Sequence, residues 1–207
     1  MKYKKQVFPK AMLKSLVEDI NNLVGSNEGK LLVLELIEEI PVEIKTQVLE
    51  SLSSFYSPRM ACFFNLLIEE YGKEFESIAN RALTKYSLAG LNIDESPPVN
   101  NNFYKAFASA SRHTGRMTLD IAWRTGPKSL YVECFFLTFG SDGIQSFYII
   151  EDMACEQYEK DRGLPNNMIE LSYAESCLLL AEAYKLNVRY MNRPALGKFL
   201  YQKYLDE

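Results

Sequence analysis

From Arg116 to Arg124 apolar and polar residues alternate, with Met117, Leu119, Ile121 and Trp123 set against Thr118, Asp120, Ala122 and Arg124. A period of two is that of a strand with one face inside and the other wet. The stretch Leu130 to Phe139 is apolar at nearly every position, broken by Glu133 and Thr138, as expected of a more central strand covered on both faces. Between the two lies Thr-Gly-Pro-Lys-Ser, so they are predicted to pair as an antiparallel hairpin.

Upstream the period changes to that of helices. Leu13, Leu16, Val17, Ile20, Leu23 and Val24 follow the three-and-four spacing of an amphipathic helix that stops near Gly25. A second helix is predicted over 28–40, apolar on more than one side through Leu31, Leu32, Leu34, Leu36 and Ile37. Pro41 and Pro58 suit the first turns of a third and a fourth helix, the fourth running to Tyr71. A fifth, over about 74–88, presents Phe75, Ile78, Ala82 and Tyr86 before Gly90.

These helices repeat. A shift of 31 places Ile37-Glu38-Glu39 on Ile68-Glu69-Glu70, Glu43 on Glu74, Ile44 on Phe75, Leu52 on Leu83 and Phe55 on Tyr86. Self-similarity at such a period marks stacked supersecondary units, none able to bury its apolar face alone. With Ile78-Ala79-Asn80-Arg81-Ala82-Leu83 as its second-helix core, the stretch 28–90 resembles the short bacterial type of HEAT-like repeat. The first unit departs from that pattern, with Gln47, Val48 and Leu49 where small residues are typical. The resemblance implies helical hairpins that bind other proteins, sometimes nucleic acid, and it brings no catalytic residues. The alternative is an antiparallel helical bundle packed on the sheet.

From Asn92 the composition shifts to Asn, Pro and Asp, which places a domain boundary there: a helical segment over 1–92 and a sheet with C-terminal helices over 93–207. Phe103 to Ala110 is predicted as a first strand and Ile144 to Ile150, after Gly-Ser-Asp-Gly, as a fourth. The expected fold is α+β, with HEAT-like helical hairpins followed by a four-stranded antiparallel meander covered by C-terminal helices. A short helix is expected over 151–161. Ser172 with Glu175 fits a capping box that opens a helix to about Asn187, whose Tyr173, Cys177, Leu180, Ala181 and Tyr184 suit packing against the Met117–Trp123 face. Pro194 opens a last helix through Leu200 and Tyr204.

Composition narrows the chemistry. Lys plus Arg total 23 against 27 Asp plus Glu, a net charge of −4, which argues against broad coating of nucleic acid. The chain has four cysteines without a CxxC pair and one histidine, so no metal is expected, and no cofactor motif or common catalytic signature is present. No apolar run suits a signal peptide or membrane span, which makes a cytoplasmic protein with no membrane partner the expectation. The acidic pairs Glu38-Glu39 and Glu69-Glu70 point about 100° apart on a helix and are read as solvated faces.

The candidate ligand-binding residues are Arg112, His113, Arg116, Arg124 and Lys128. Arg116 and Arg124 share the polar face of one strand, and cations interleaved with Tyr104 and Tyr131 would suit phosphates and stacked bases of single-stranded RNA. Asp120 and Glu133 are expected among them. His113 lies in a predicted turn, without a locatable carboxylate or nucleophile beside it. The leading reading is a non-catalytic intracellular binding or adaptor protein that meets another protein through the helical-repeat surface, in the groove beside the sheet. The alternatives are an RNA-binding accessory protein and an enzyme with an unrecognised site between the two parts. Oligomeric state stays open.

Overall fold

A computed structural model describes residues 8–91, 102–109, 115–162 and 168–206. Its chain divides into two compact units, Met1–Pro97 and Pro98–Glu207. The first consists of α1 (Lys10–Leu23), α2 (Asn27–Glu39), α3 (Val42–Leu52), α4 (Pro58–Tyr71), a 3-10 turn at Gly72–Glu74 and α5 (Glu76–Leu88). Ser26 and Ser57 cap α2 and α4 by accepting the amides of Gly29 and Met60, each at 3.0 Å, which satisfies donors that no earlier turn reaches. The core is apolar and fully closed at Ile20, Val33, Leu34, Ile37, Leu49, Leu52, Phe63, Phe64 and Leu67.

Residues 31 apart in sequence meet in space within this unit. Arg81 on α5 donates to Glu50 on α3 at 2.9 Å, and the buried Tyr86 hydroxyl donates to the Phe55 carbonyl at 2.9 Å.

The second unit is built on one antiparallel sheet in the order β4-β3-β2-β1-β5. Its strands are β1 (Asn102–Ser109), β2 (Arg116–Arg124), β3 (Ser129–Thr138), β4 (Gly143–Ala154) and β5 (Met168–Leu171), with α6 (Cys155–Arg162), α7 (Tyr173–Tyr190) and α8 (Lys198–Tyr201). The α+β class and the antiparallel sheet are as expected. The count is not: β5 joins the free side of β1, pairing Ala106 with Leu171 and Ser109 with Met168. Four residues are too few to show a period, so this fifth strand left no pattern to read. A second correction is that β4 runs on through Glu151-Asp152-Met153-Ala154, and the helix expected from 151 begins only at Cys155; a third is that the last helix does not open at Pro194 but at Lys198, and continues as a 3-10 turn over Gln202–Tyr204.

Each face of the sheet has its own core. On one side Leu119, Ile121, Phe135 and Leu137 pack under Cys177, Leu180 and Ala183 of α7 and under Tyr201 and Tyr204, with Met117 and Trp123 at the margin. On the other, Phe107, Ala122, Leu130, Val132 and Cys134 pack under Tyr158 of α6. The capping box forms as expected. Ser172 Oγ accepts from the Glu175 amide at 3.3 Å, and Glu175 Oε2 accepts from the Ser172 amide at 2.8 Å.

The start of β4 is locked to the segment that follows it. The carboxamide of the buried Asn187 accepts from the Ile144 amide at 2.8 Å and donates to the Asp142 carbonyl, while the Ala195 amide donates to the Ile144 carbonyl at 2.9 Å. Beyond that point β4 is the outer strand, with ladder irregularities on either side of Ser146–Ile150 and a left-handed backbone at Asp152 (φ 60°).

Candidate functional site

Cross-strand registry sets Phe107 of β1, Asp120 of β2, Cys134 of β3 and Tyr148 of β4 in one row across the sheet. The next row holds Thr118, Phe136 and Ser146. These rows lie on the α6 side because side chains two apart on a strand share a face. The helix covers only part of that side. Where it ends, an open pocket of about 420 Å³ is lined by Thr118, Asp120, Phe136, Ser146, Tyr148, Asp161, Arg162 and Met168, with Phe135 at its edge.

At the edge of the pocket nearest the core is an ion pair. Arg162 Nε donates to Asp120 Oδ2 at 2.9 Å, and the two side chains are only 13% and 10% exposed. Burial works against the charge of Arg162, but the hydrogen bond and charge of Asp120 outweigh it and its pKa is raised. Tyr158, whose hydroxyl donates to the Asp120 carbonyl at 3.3 Å, closes the inner side. Burial and then the charge of Asp120 push the Cys134 thiol well above the usual range. Tyr148 is pushed up to about 12, chiefly by Cys134 beside it and secondly by partial burial.

Asp120 therefore does not stand among exposed cations: it is buried and bound to Arg162, a residue 42 positions away on α6. Glu133 lies on the opposite face of the sheet, paired with Ile121 in the α7 core. Of the five expected ligand-binding residues, Arg112 and His113 lie outside the described residues. Arg116 and Arg124 are exposed at opposite ends of β2, about 27 Å apart at ~3.4 Å per residue. Arg124 stacks on the Tyr104 ring at 4.6 Å and donates to the Pro127 carbonyl at 3.1 Å. Lys128 is exposed in the turn beside it, so Arg124 and Lys128 fall at one end of β2 and Arg116 at the other.

Among the described residues no group of three His, Cys, Asp or Glu side chains is placed to hold a metal ion. Nor is any helix among them long and apolar enough to cross a membrane. No family model, curated protein or solved structure matches the chain. The site thus has to be read from its own atoms. Nothing in the local pattern points to Arg162, because α6 has one buried apolar residue, Tyr158, and so carries no stripe.

Raised phenol pKa values have a testable consequence. Tyr86, Tyr158 and Tyr204 are raised mainly by burial, and Tyr148 to about 12. A raised folded value favours the protonated form, so the stability it contributes is whole below the unfolded value of about 10 and falls as pH rises through the folded values. Phenolate absorbance of these residues is expected to appear together with loss of far-ultraviolet dichroism above about pH 10. Titration of all 13 tyrosines as one class near that pH, with the dichroism unchanged, would contradict it.

Proposed function

We propose that the protein is a non-catalytic binding or adaptor protein acting inside the cell, and that the pocket beside α6 is a ligand seat. The observation that carries this reading is the largely buried ion pair of Asp120 with Arg162, which occupies the carboxylate of the pocket. Beside it, burial and the charge of Asp120 favour the neutral thiol of Cys134, and Cys134 favours the neutral phenol of Tyr148. A nucleophile has to be a thiolate and a general base has to be free to take a proton. What the seat offers instead is hydrogen bonding from Thr118, Ser146 and Tyr148 and a ring surface from Phe136, features that suit holding a small polar molecule or a side chain.

The helical unit supports the adaptor part of the reading. Its contacts at the 31-residue offset are those expected of stacked HEAT-like hairpins, whose outer surfaces meet protein partners. Val42 and Leu88, 80% and 85% exposed, are apolar side chains open to such a partner. The four cysteines, all described, form no disulfide, in keeping with a reducing compartment. RNA binding is carried less far, because Arg116 and Arg124 stand at the two ends of β2.

The test is a ligand-observed NMR screen of a fragment set on the wild type and on Ser146→Phe, which fills the seat from an exposed position. Saturable fragments are expected for the wild type and are expected to be lost from the variant. Fragments that bind both alike, or none at millimolar concentration, would remove the pocket from the proposal. A hydrolytic or transfer activity abolished by Cys134→Ser would overturn its non-catalytic character.

A further inference from the structure

On the opposite face of the sheet Glu133 is fully buried in the middle of β3. A carboxylate removed from water is strongly unfavourable unless donors and a counter-charge meet its oxygens. Here both do. The Tyr204 hydroxyl donates to Oε2, Trp123 Nε1 donates to the same oxygen at 3.2 Å, and Lys203 Nζ donates to Oε1 at 2.9 Å.

The Lys203 ammonium also rests on ring faces, 4.6 Å from the Trp123 centroid and 4.9 Å from that of Tyr204. Tyr173 extends the wall, its ring 5.8 Å from Trp123 and 6.1 Å from Tyr204, and Phe103 stands 6.0 Å from Trp123. Aromatic faces gathered around a carboxylate are how proteins hold ammonium groups. In this protein the chain fills its own seat. The Lys203 side chain is 45% exposed while Glu133 beneath it is closed off, so the seat opens by rotation of one flexible side chain.

We propose that the seat formed by Glu133, Trp123 and Tyr204 binds alkylammonium groups, and that Lys203 is its built-in competitor. A quaternary ammonium is less strongly hydrated than the primary ammonium of lysine, so it leaves water more readily. It forgoes the hydrogen bond to Oε1 but keeps the charge attraction and the ring contacts. Tyr204 and Trp123 continue to donate to Oε2 throughout the exchange, while the charge of the incoming ammonium replaces that of Lys203 at Oε1. This seat is separate from the pocket beside α6, and neither proposal depends on the other.

Trp123 is the sole tryptophan of the chain, and its fluorescence reads the seat directly. Wild type and Lys203→Ala are titrated with tetramethylammonium chloride against sodium chloride at equal ionic strength. The expected result is a saturable, tetramethylammonium-specific change, at least about tenfold tighter in Lys203→Ala, as follows when a competitor that occupies the seat nine-tenths of the time is removed. Choline and a trimethyl-lysine amide then distinguish a free ammonium from a modified side chain by which binds more tightly.

If Lys203→Ala is poorly folded, the reading becomes its melting temperature, which tetramethylammonium is expected to raise and sodium is not. Equal effects of the two salts in both assays would make Lys203 a structural counter-ion and overturn the proposal. Glu133→Gln with Lys203→Met removes both charges and is expected to lose the tightening. Binding by that double variant as tight as by Lys203→Ala would also overturn it.

Discussion

Gly143→Ala is expected to destabilise the second unit by about 3–5 kcal/mol, summing a left-handed backbone, an overpacked contact and a weakened buried hydrogen bond. Gly143 has φ +60°, a region that a Cβ disfavours, and a Cβ built there lies 2.2 Å from the Ala183 carbonyl oxygen and 2.3 Å from Asn187 Oδ1. The first of these is helix backbone and cannot turn aside. The second is the oxygen that accepts the Ile144 amide, so moving it breaks the lock between β4 and α7. Urea denaturation followed by Trp123 fluorescence measures the loss. A change below about 1 kcal/mol would mean that α7 yields at this contact, against the close packing expected of an interior.

Arg162→Ala is expected to cost about 3–5 kcal/mol by the same measurement, because it leaves Asp120 buried with its counter-charge gone. The pair itself is a weak source of stability, since the desolvation of both ions offsets most of their attraction. A double variant, Asp120→Asn with Arg162→Met, is therefore expected to recover most of the loss. A double variant as unstable as Arg162→Ala would show that the helix end, and not the orphaned charge, is responsible. The two experiments also separate the sides of the sheet, since Gly143 is held against α7 and Arg162 belongs to α6.

The contrast between these two sites explains what was legible in the sequence. Met117 to Trp123 announced a strand and its buried face because the signal is local: four alternating residues, then Gly-Pro. Ser172 and Glu175 announced a helix start for the same reason, since both partners of a capping box lie within one turn. Asp120 looked like part of an exposed charged face because its partner is 42 positions away on a helix with little apolar content. Glu133 was the more readable anomaly, a lone carboxylate in an otherwise apolar strand. Two of its three donors, Lys203 and Tyr204, are 70 and 71 residues distant. Pattern reading finds which face is wet; it does not find which distant charge makes a wet-looking residue dry.

The outer edge of β4 bears on how the protein behaves when crowded with its own copies. An open strand edge is a template on which further chains can build. At one end the Ile144 backbone is already occupied by Asn187 and Ala195, and at the other the ladder slips before Met153 beside the left-handed Asp152. What remains uninterrupted is Ser146, Phe147, Tyr148, Ile149 and Ile150. That run is shorter than the six or seven residues that fibre-forming zippers require. As an edge, this run of aromatic and branched side chains is thus too short to seed cross-β growth.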